Sequence, residues 1–210
     1  MDWGKTMRAT AADEFLAWAD EGGIWPDDRY QEPRCLVFRG ESDLARFWNW
    51  PKVRLGIAAF AAHLLDGLEP WSEIYLWRRG GVWPGAYSPS SVNDEVEAVI
   101  LKGAGVPSGH EGAMVADHGS RAEAVAVLLG AMMFGFATRD DVFVVPDHRR
   151  AILWVDHHRV VNASFKEAED LERFVEHMRR AGHELPEELP DATFKPVGWM
   201  PDQGERSEAR

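Results

Sequence analysis

Histidine and carboxylate side chains lie at the ends of predicted strands in the second half of the chain. The densest group is Asp156, His157 and His158, which follows the apolar run 151–155. The other candidates are His110, Glu111, Asp117, His118, Asp147 and His148. Imidazole nitrogens and carboxylate oxygens are the ligands that Zn²⁺ and Mn²⁺ prefer in proteins. A metal-dependent hydrolase that uses Asp156, His157 and His158 is therefore one function that the sequence allows.

The sequence Val155-Asp156-His157-His158 resembles the DHH motif of the DHH-family phosphoesterases. The resemblance implies that the aspartate and the histidines help to hold a pair of divalent metals. That family carries further aspartate ligands in earlier DxD motifs, and this chain contains no DxD sequence. The resemblance covers four residues and the strand before them. The competing interpretation is a polar hairpin turn, because a strand resumes at Arg159.

The histidine and carboxylate candidates do not all fit one site. Asp147 and His148 lie in a predicted turn at the opposite end of a strand from Asp156. A strand of this length separates its two ends by about 15 Å, at roughly 3.3 Å per residue. The sequence also lacks a Gly-rich phosphate loop and spaced Cys pairs, and its single cysteine, Cys35, lies in an apolar run. We therefore predict no cofactor.

Tryptophan is the most unusual feature of the composition, with ten in 210 residues. Trp25, Trp50 and Trp83 each precede a proline, in segments predicted to be loops or helix ends. Tryptophan is frequent where a rigid ring anchors a binding partner. Together with the nearby Asp27 and Asp28, these rings are candidates for an acidic, aromatic binding surface. The alternative is that the loops fold back and pack their rings on the sheet.

A long apolar helix and three strands are predicted to position these residues. Residues 124–138 contain no charge, and a possible capping box at Ser120 and Glu123 predicts a buried central helix over 120–137. Residues 142–145, 151–155 and 159–163 are predicted strands. The turns between them are too short for parallel crossovers, so the sheet is expected to be antiparallel.

The remaining pattern predicts a single α+β domain over residues 1–182, with a mixed, mainly antiparallel sheet packed by about five helices. Helical spacing or capping residues predict helices over 10–19, 42–50, 52–68, 94–102 and 166–181. Further strands are predicted over 35–39, 73–78 and 113–116, and 24–30 is predicted to be a loop. Residues 183–210 are acidic and rich in proline, so we expect a loosely attached C-terminal tail.

The net charge of −12 indicates what kind of partner this chain can have. Phosphate binding needs clustered Lys and Arg, so we predict no direct contact with nucleic acid, and a basic protein is the expected partner. The first residues contain no apolar run of signal-peptide length, which favours a cytoplasmic protein without a membrane anchor. The oligomeric state stays open.

Two functional hypotheses follow from these observations. The first is a non-catalytic cytoplasmic protein-binding module. In its size, acidity and many aromatic residues the chain is similar to bacterial immunity proteins, which bind and block a toxin. The second is the metal-dependent hydrolase at Asp156, His157 and His158.

Overall fold

The computed structural model describes residues 7–27, 35–39, 44–51, 54–83, 92–138, 141–157 and 159–185. Within these ranges the chain forms nine strands, five α-helices and a short 3-10 helix, His118–Ser120. The strands are β1 (Arg8–Ala11), β2 (Ile24–Asp27), β3 (Cys35–Phe38), β4 (Ala45–Asn49), β5 (Glu73–Val82), β6 (Glu111–Asp117), β7 (Val142–Pro146), β8 (Ala151–Asp156) and β9 (Val160–Phe165). The helices are α1 (Ala12–Glu21), α2 (Arg54–Gly67), α3 (Val92–Gly103), α4 (Arg121–Thr138) and α5 (Ala168–Arg180).

Seven of the strands form one sheet in the order β1-β6-β5-β7-β8-β9-β4, and every neighbouring pair is antiparallel. Strands β2 and β3 form a separate antiparallel pair. Short turns join β7 to β8 and β8 to β9, and such turns permit only antiparallel neighbours. The predicted α+β class with a mainly antiparallel sheet is therefore confirmed.

The sheet is buried on both faces because apolar side chains occupy both alternating sets of positions along its central strands. Leu76, Val144 and Leu153 belong to a large apolar cluster with residues of α2, α4 and α5. We call this side the helical face. Trp77, Phe143 and Ile152 belong to a smaller cluster with residues of α1, β2 and β3, and we call this side the aromatic face.

Helix α4 corresponds to the predicted apolar helix and packs against α2, α3, β6 and β8. Ala124, Val127 and Leu128 are buried, whereas Met133 is 43% exposed, so one side of the helix reaches the surface. Among the described residues, we find no helix with both the length and the apolar character needed to cross a bilayer.

Two short segments differ from the sequence-based expectation. The predicted helix over 42–50 is wrong, because residues 45–49 form strand β4 at the edge of the sheet. Pairing with β9 gives its backbone hydrogen bonds, and it places Trp48 in the core opposite Val161. The predicted loop after Ile24 begins with β2, which pairs with β3. In both cases pairing with another strand, β9 for β4 and β3 for β2, outweighs the local signal.

The predicted helix caps also differ from those observed. Ser120 takes part in a capping box with Asp117, which begins the 3-10 helix before α4. Thr10 and Ser164 lie inside strands β1 and β9, and the residues at the N-caps of α1 and α5, Ala11 and Glu167, make no side-chain capping hydrogen bond. Helix α4 starts directly after Ser120, whereas α1 and α5 start further along the chain than caps at Thr10 and Ser164 would place them.

The predicted C-terminal tail begins at residue 183, and residues 186–210 lie outside the described ranges. Its first three residues remain attached to the domain. Leu185 packs against the large apolar cluster, and the ring of His183 lies edge-on to Phe60 at 4.8 Å between centroids. Contact with the core thus continues beyond the predicted boundary at residue 182.

Candidate functional site

Asp141, Asp156 and His157 form a cluster at one end of the β7–β8–β9 ladder. Each offers one potential ligand atom, and these atoms lie within 4.8 Å of one another. The register explains why they meet, because Val142 at the start of β7 pairs with Val155 near the end of β8. Asp141 directly precedes β7 and Asp156 ends β8, so the two aspartates are neighbours across the ladder.

The carboxylate of Asp141 is fully buried, and Arg79 and His157 are its neighbours. Its Oδ1 lies 2.7 Å from His157 Nδ1 and accepts a hydrogen bond of 2.9 Å from the His157 backbone N–H. Its Oδ2 accepts a 3.2 Å hydrogen bond from Nη1 of Arg79 in β5. The Arg79 backbone N–H also donates to the Asp141 carbonyl at 2.9 Å. Both carboxylate oxygens are therefore used inside the protein, as a buried charge requires.

His157 lies between two aspartates, which favour its protonated form. The hydrogen bond to Asp141 raises the pKa of His157, burial opposes this, and the charges of Asp141 and Asp156 raise it further. Asp156 Oδ1 lies 3.4 Å from the same Nδ1. A protonated imidazole has no lone pair with which to ligate a metal. Metal binding here would therefore compete with protonation of His157 and would displace the Asp141–His157 hydrogen bond.

The turn that contains His157 is a tight hairpin. Asp156 pairs with Val160, which leaves a loop of three residues. Arg159 closes this loop with a positive φ of 68°, and its N–H donates to the Asp156 carbonyl at 3.0 Å. This is a common three-residue hairpin geometry, and it agrees with the turn interpretation of the Asp-His-His sequence. His158, the third residue of that sequence, lies outside the described residues.

Sequence reasoning missed Asp141 and Arg79. The sequence predicts that Asp141 lies in the turn that closes the preceding helix, and Arg79 follows the predicted strand over 73–78. The hairpin between β7 and β8 carried a usable signal, because matching two strands across a short turn places the residue before β7 beside the residue that ends β8. No comparable local signal predicts the contact from β5.

The turn at the opposite end of the β7–β8 hairpin contains Asp147 and His148, which also have internal partners. Asp147 accepts hydrogen bonds from the hydroxyl and the backbone N–H of Ser72. His148 Nδ1 accepts from the Arg150 N–H at 3.1 Å, and its Nε2 lies 3.5 Å from the Leu68 carbonyl. Burial lowers the pKa of His148. Because Ser72 bonds to Asp147 and not to His148, this is not the arrangement of a catalytic triad.

The other histidine and carboxylate candidates are spread along β6. Asp117 caps the 3-10 helix, and the ring of His118 stacks on Trp71 at 4.2 Å. His110 Nε2 lies 3.4 Å from the Ala113 carbonyl, and Glu111 is exposed at the start of the strand. The structure therefore does not bring these four residues into the Asp141 cluster.

Two of the three tryptophans proposed for a binding surface are buried, and the prediction of an exposed surface is wrong for them. Trp50 is 7% exposed and Trp83 is 1% exposed, and both belong to the large apolar cluster. Trp83 Nε1 donates to the Gly112 carbonyl at 3.0 Å, which satisfies the polar atom of a buried ring. Trp25 differs, because 43% of it is exposed. Asp28 and the side chain of Asp27 lie outside the described residues.

Trp25 lies on β2 at the edge of the aromatic face. The guanidinium of Arg39 lies over its ring, 4.7 Å from the centroid, and Arg39 also forms an ion pair with Asp20 at the end of α1. The exposed side of α1 includes Asp13, Glu14 and Glu21. An exposed ring thus lies beside a helix whose charged residues are all acidic.

No known protein family, curated protein or solved structure significantly matches this chain.

Proposed function

We propose that the protein is a non-catalytic binding module that recognises a basic protein through a surface centred on Trp25. The observation that carries this proposal is the ring of Trp25, which is 43% exposed and stacked against Arg39. In the manner of an immunity protein, such a module would neutralise a basic toxin by occupying part of its surface.

The stacked arginine suits Trp25 to binding. A cation over an exposed aromatic ring contributes about 0.5–1 kcal/mol, which favours one orientation of the ring. A ring that is already ordered loses little conformational freedom when a partner covers it. Arg39 also forms an ion pair with Asp20, which compensates the positive charge of the arginine before a partner binds.

The charge of the surrounding surface favours a basic partner. Asp13, Glu14 and Glu21 are exposed on α1, and the whole chain has a net charge of −12. A surface of one sign attracts partners of the opposite sign and increases the rate of association. We therefore expect the acidic residues to determine the association rate and Trp25 to determine the lifetime of the complex.

The experiment measures binding of the purified chain to the product of the neighbouring gene, because an immunity protein is expected beside its toxin. Trp25→Ala is compared with Val99→Ala, a control at an apolar residue on α3 that is 70% exposed. Loss of a tryptophan anchor costs about 2 kcal/mol, so Trp25→Ala should dissociate about 30-fold faster. Association should slow between about 0.01 M and about 0.15 M salt.

Two results would contradict the proposal. One is an unchanged dissociation rate for Trp25→Ala, and the other is an equal change for Val99→Ala. Circular dichroism of both variants tests whether the fold is intact. An intact fold means that a change in binding is not a consequence of unfolding.

A metal-dependent hydrolase is a second candidate, favoured by the convergence of Asp141, Asp156 and His157. Its test is the metal content of the purified chain beside that of His157→Gln. One equivalent of Zn²⁺ or Mn²⁺ that disappears in the variant would support this candidate over the binding module. The hydrogen bonds from Arg79 and His157 to Asp141 favour the first proposal, because they use the oxygens that a metal would need.

A further inference from the structure

Three histidines meet on the outer side of the helical face, where α2 packs against α5. His63 lies on α2, His177 lies in the last turn of α5, and His183 follows that helix. Nδ1 of His63 lies 2.9 Å from Nε2 of His183. The ring centroid of His63 is 5.2 Å from that of His183 and 6.3 Å from that of His177. Neither the sequence motifs nor the Asp141 cluster involves these three residues.

The end of α5 holds His183 in place. Gly182 has a positive φ of 82°, its N–H donates to the Arg179 carbonyl at 3.0 Å, and the His183 N–H donates to the Met178 carbonyl at 2.9 Å. These two hydrogen bonds form a Schellman motif, which reverses the chain at a helix C-terminus. The reversal brings the ring of His183 onto Phe60 and His63 of α2.

His177 presents a buried nitrogen to the same region. A Cβ at Gly67 would lie 3.2 Å from His177 Cδ2, so the Cδ2–Nε2 edge of the ring lies against α2. Gly67 follows His63 by one helical turn and shares its side of the helix. His177 Nε2 is buried and has no hydrogen-bond partner among the described residues. A buried polar atom without a partner costs about 1–3 kcal/mol, which a ligand would remove.

We propose that His63, His177 and His183 form a binding site for a divalent transition metal, with Zn²⁺ as the reference ion. Nδ1 of His63 and Nε2 of His183 would be two of the ligands, and Nε2 of His177 would be the third. Two nitrogens on a tetrahedral Zn²⁺ lie about 3.4 Å apart, so the first pair needs to open by only about 0.5 Å. For Nε2 of His177 to reach the ion, its ring would have to turn away from its present position against Gly67.

The chemistry of the three side chains determines which ions are suitable. A hydrogen bond between two imidazoles requires an acceptor, so at least one of the His63 and His183 rings is neutral. A metal would replace this hydrogen bond, and the proton of the donor nitrogen would be released or move to the other nitrogen of its ring. A set of imidazoles without carboxylates favours Zn²⁺, Ni²⁺ or Cu²⁺ over Mg²⁺ and Ca²⁺. His177 and His183 also lie at the C-terminal end of α5, where the helix dipole favours a cation.

A metal at this position would join the end of α5 to α2. It is a site separate from the surface at Trp25, and the two proposals can fail independently. Because three protein ligands leave one tetrahedral position for water, the ion would also be open to an additional ligand.

The test uses the untagged full chain, treated with a chelator and titrated with Co²⁺, which is detected by its visible absorption. We expect one Co²⁺ per chain, displaced by Zn²⁺. His63→Gln and His183→Gln should each weaken binding by more than about 100-fold, beyond what loss of an outer hydrogen bond to a ligand causes. The control His118→Gln, at a histidine stacked on Trp71, should bind as the wild type does, and His157→Gln tests the Asp141 cluster as the alternative location of the metal.

Failure to bind one equivalent, or equal affinity in His63→Gln and His183→Gln, would overturn the site. Loss of binding in His157→Gln alone would assign the metal to the Asp141 cluster instead. Imidazole ¹⁵N spectra of the wild type make the test independent of whether the variants fold. On addition of Zn²⁺, Nδ1 of His63 and Nε2 of His183 should shift, and absence of those shifts would reject the proposal.

Discussion

The two faces of the seven-stranded sheet are covered in different ways. On the helical face, bulky rings such as Trp48 and Phe174 pack edge-on at 5.3 Å under α2, α4 and α5. On the aromatic face, Trp18 and Tyr75 stack at 3.9 Å, and cations lie over rings near the surface. A partner that covers a ring there does not need to open the core. The aromatic face is therefore the better place for a binding surface.

The two faces also differ in the acidic residue that lies near each of two consecutive arginines of β5. Arg78 is buried on the side of the helical face, and Glu97 of α3 is the acidic residue whose charge acts on it. Arg79, the next residue, points the other way and bonds to Asp141 at 3.2 Å. Alternation along one strand thus supplies one cation to each face.

We expect the largest effect from Gly112→Ala, which should disrupt the packing of α1 on the aromatic face. Gly112 has a φ of 143°, and a Cβ there would lie 1.9 Å from the Thr10 carbonyl oxygen. Relief of this clash separates β1 from β6 and loosens α1, so we expect a loss of about 4 kcal/mol or more in the free energy of unfolding. Urea denaturation measures the loss, and near-UV circular dichroism reports on the aromatic stack.

Gly103→Ala is the control for this prediction, since a Cβ at Gly103 meets nothing within 4 Å. It should leave both measurements nearly unchanged. Equal stability of the two variants would show that the contact between Thr10 and Gly112 does not hold the aromatic face in place.

Leucine truncation on each face should give a smaller effect of unequal size. Leu128 of α4 is fully buried, whereas Leu16 of α1 is partly buried against the smaller cluster. We expect Leu128→Ala to cost about 2–5 kcal/mol and Leu16→Ala clearly less, because the cost depends on the cavity that remains. Thermal and urea unfolding of the two variants compare them directly. Equal losses of unfolding free energy in the two variants would contradict a difference in packing between the two faces.

The sequence predicted the long elements of the fold better than the short ones, for a physical reason. Periodicity over α2, α4 and the β7–β9 ladder is long and local, so these elements are visible in single segments. Strands β2 and β4 are short, and each is defined by pairing with another strand, β3 or β9. Trp25 was predicted as a surface residue from its place before a proline, and the same signal failed for Trp50 and Trp83.

The candidate sites were predicted only in part, because they combine residues from elements far apart in the chain. Asp156 and His157 were visible as neighbours, but Asp141 and Arg79 reach them through strand register. His63 and His183 are 120 residues apart and meet through helix packing. No local spacing encodes such a contact, so only the folded chain shows it.

Two histidines at opposite ends of the β7–β8 hairpin should respond to pH with opposite sign. The hydrogen bond to Asp141 raises the pKa of His157, whereas burial lowers the pKa of His148. The contribution of His157 is complete below the unfolded value of about 6.5 and is lost as pH rises through the folded pKa. The contribution of His148 is complete above about 6.5 and is lost as pH falls through its folded pKa.

Unfolding free energies of His157→Gln and His148→Gln, relative to the wild type, test these signs. His157→Gln should lower the free energy of unfolding more at about pH 5.5 than at about pH 8.5, and His148→Gln should show the reverse. If the loss of unfolding free energy changed with pH in the same direction for both variants, one of the two hydrogen-bond networks would be assigned incorrectly.

The smallest effect concerns Trp25 and Arg39, where the aromatic face meets solvent. A double-mutant cycle with Trp25→Ala and Arg39→Ala separates the ring–cation contact from the ion pair between Arg39 and Asp20. We expect a coupling of about 0.5–1 kcal/mol in urea unfolding, because both side chains are exposed. A coupling near zero would mean that Arg39 does not order the ring. A coupling above about 2 kcal/mol would place Trp25 in the core, and the proposed binding surface would then lose its anchor.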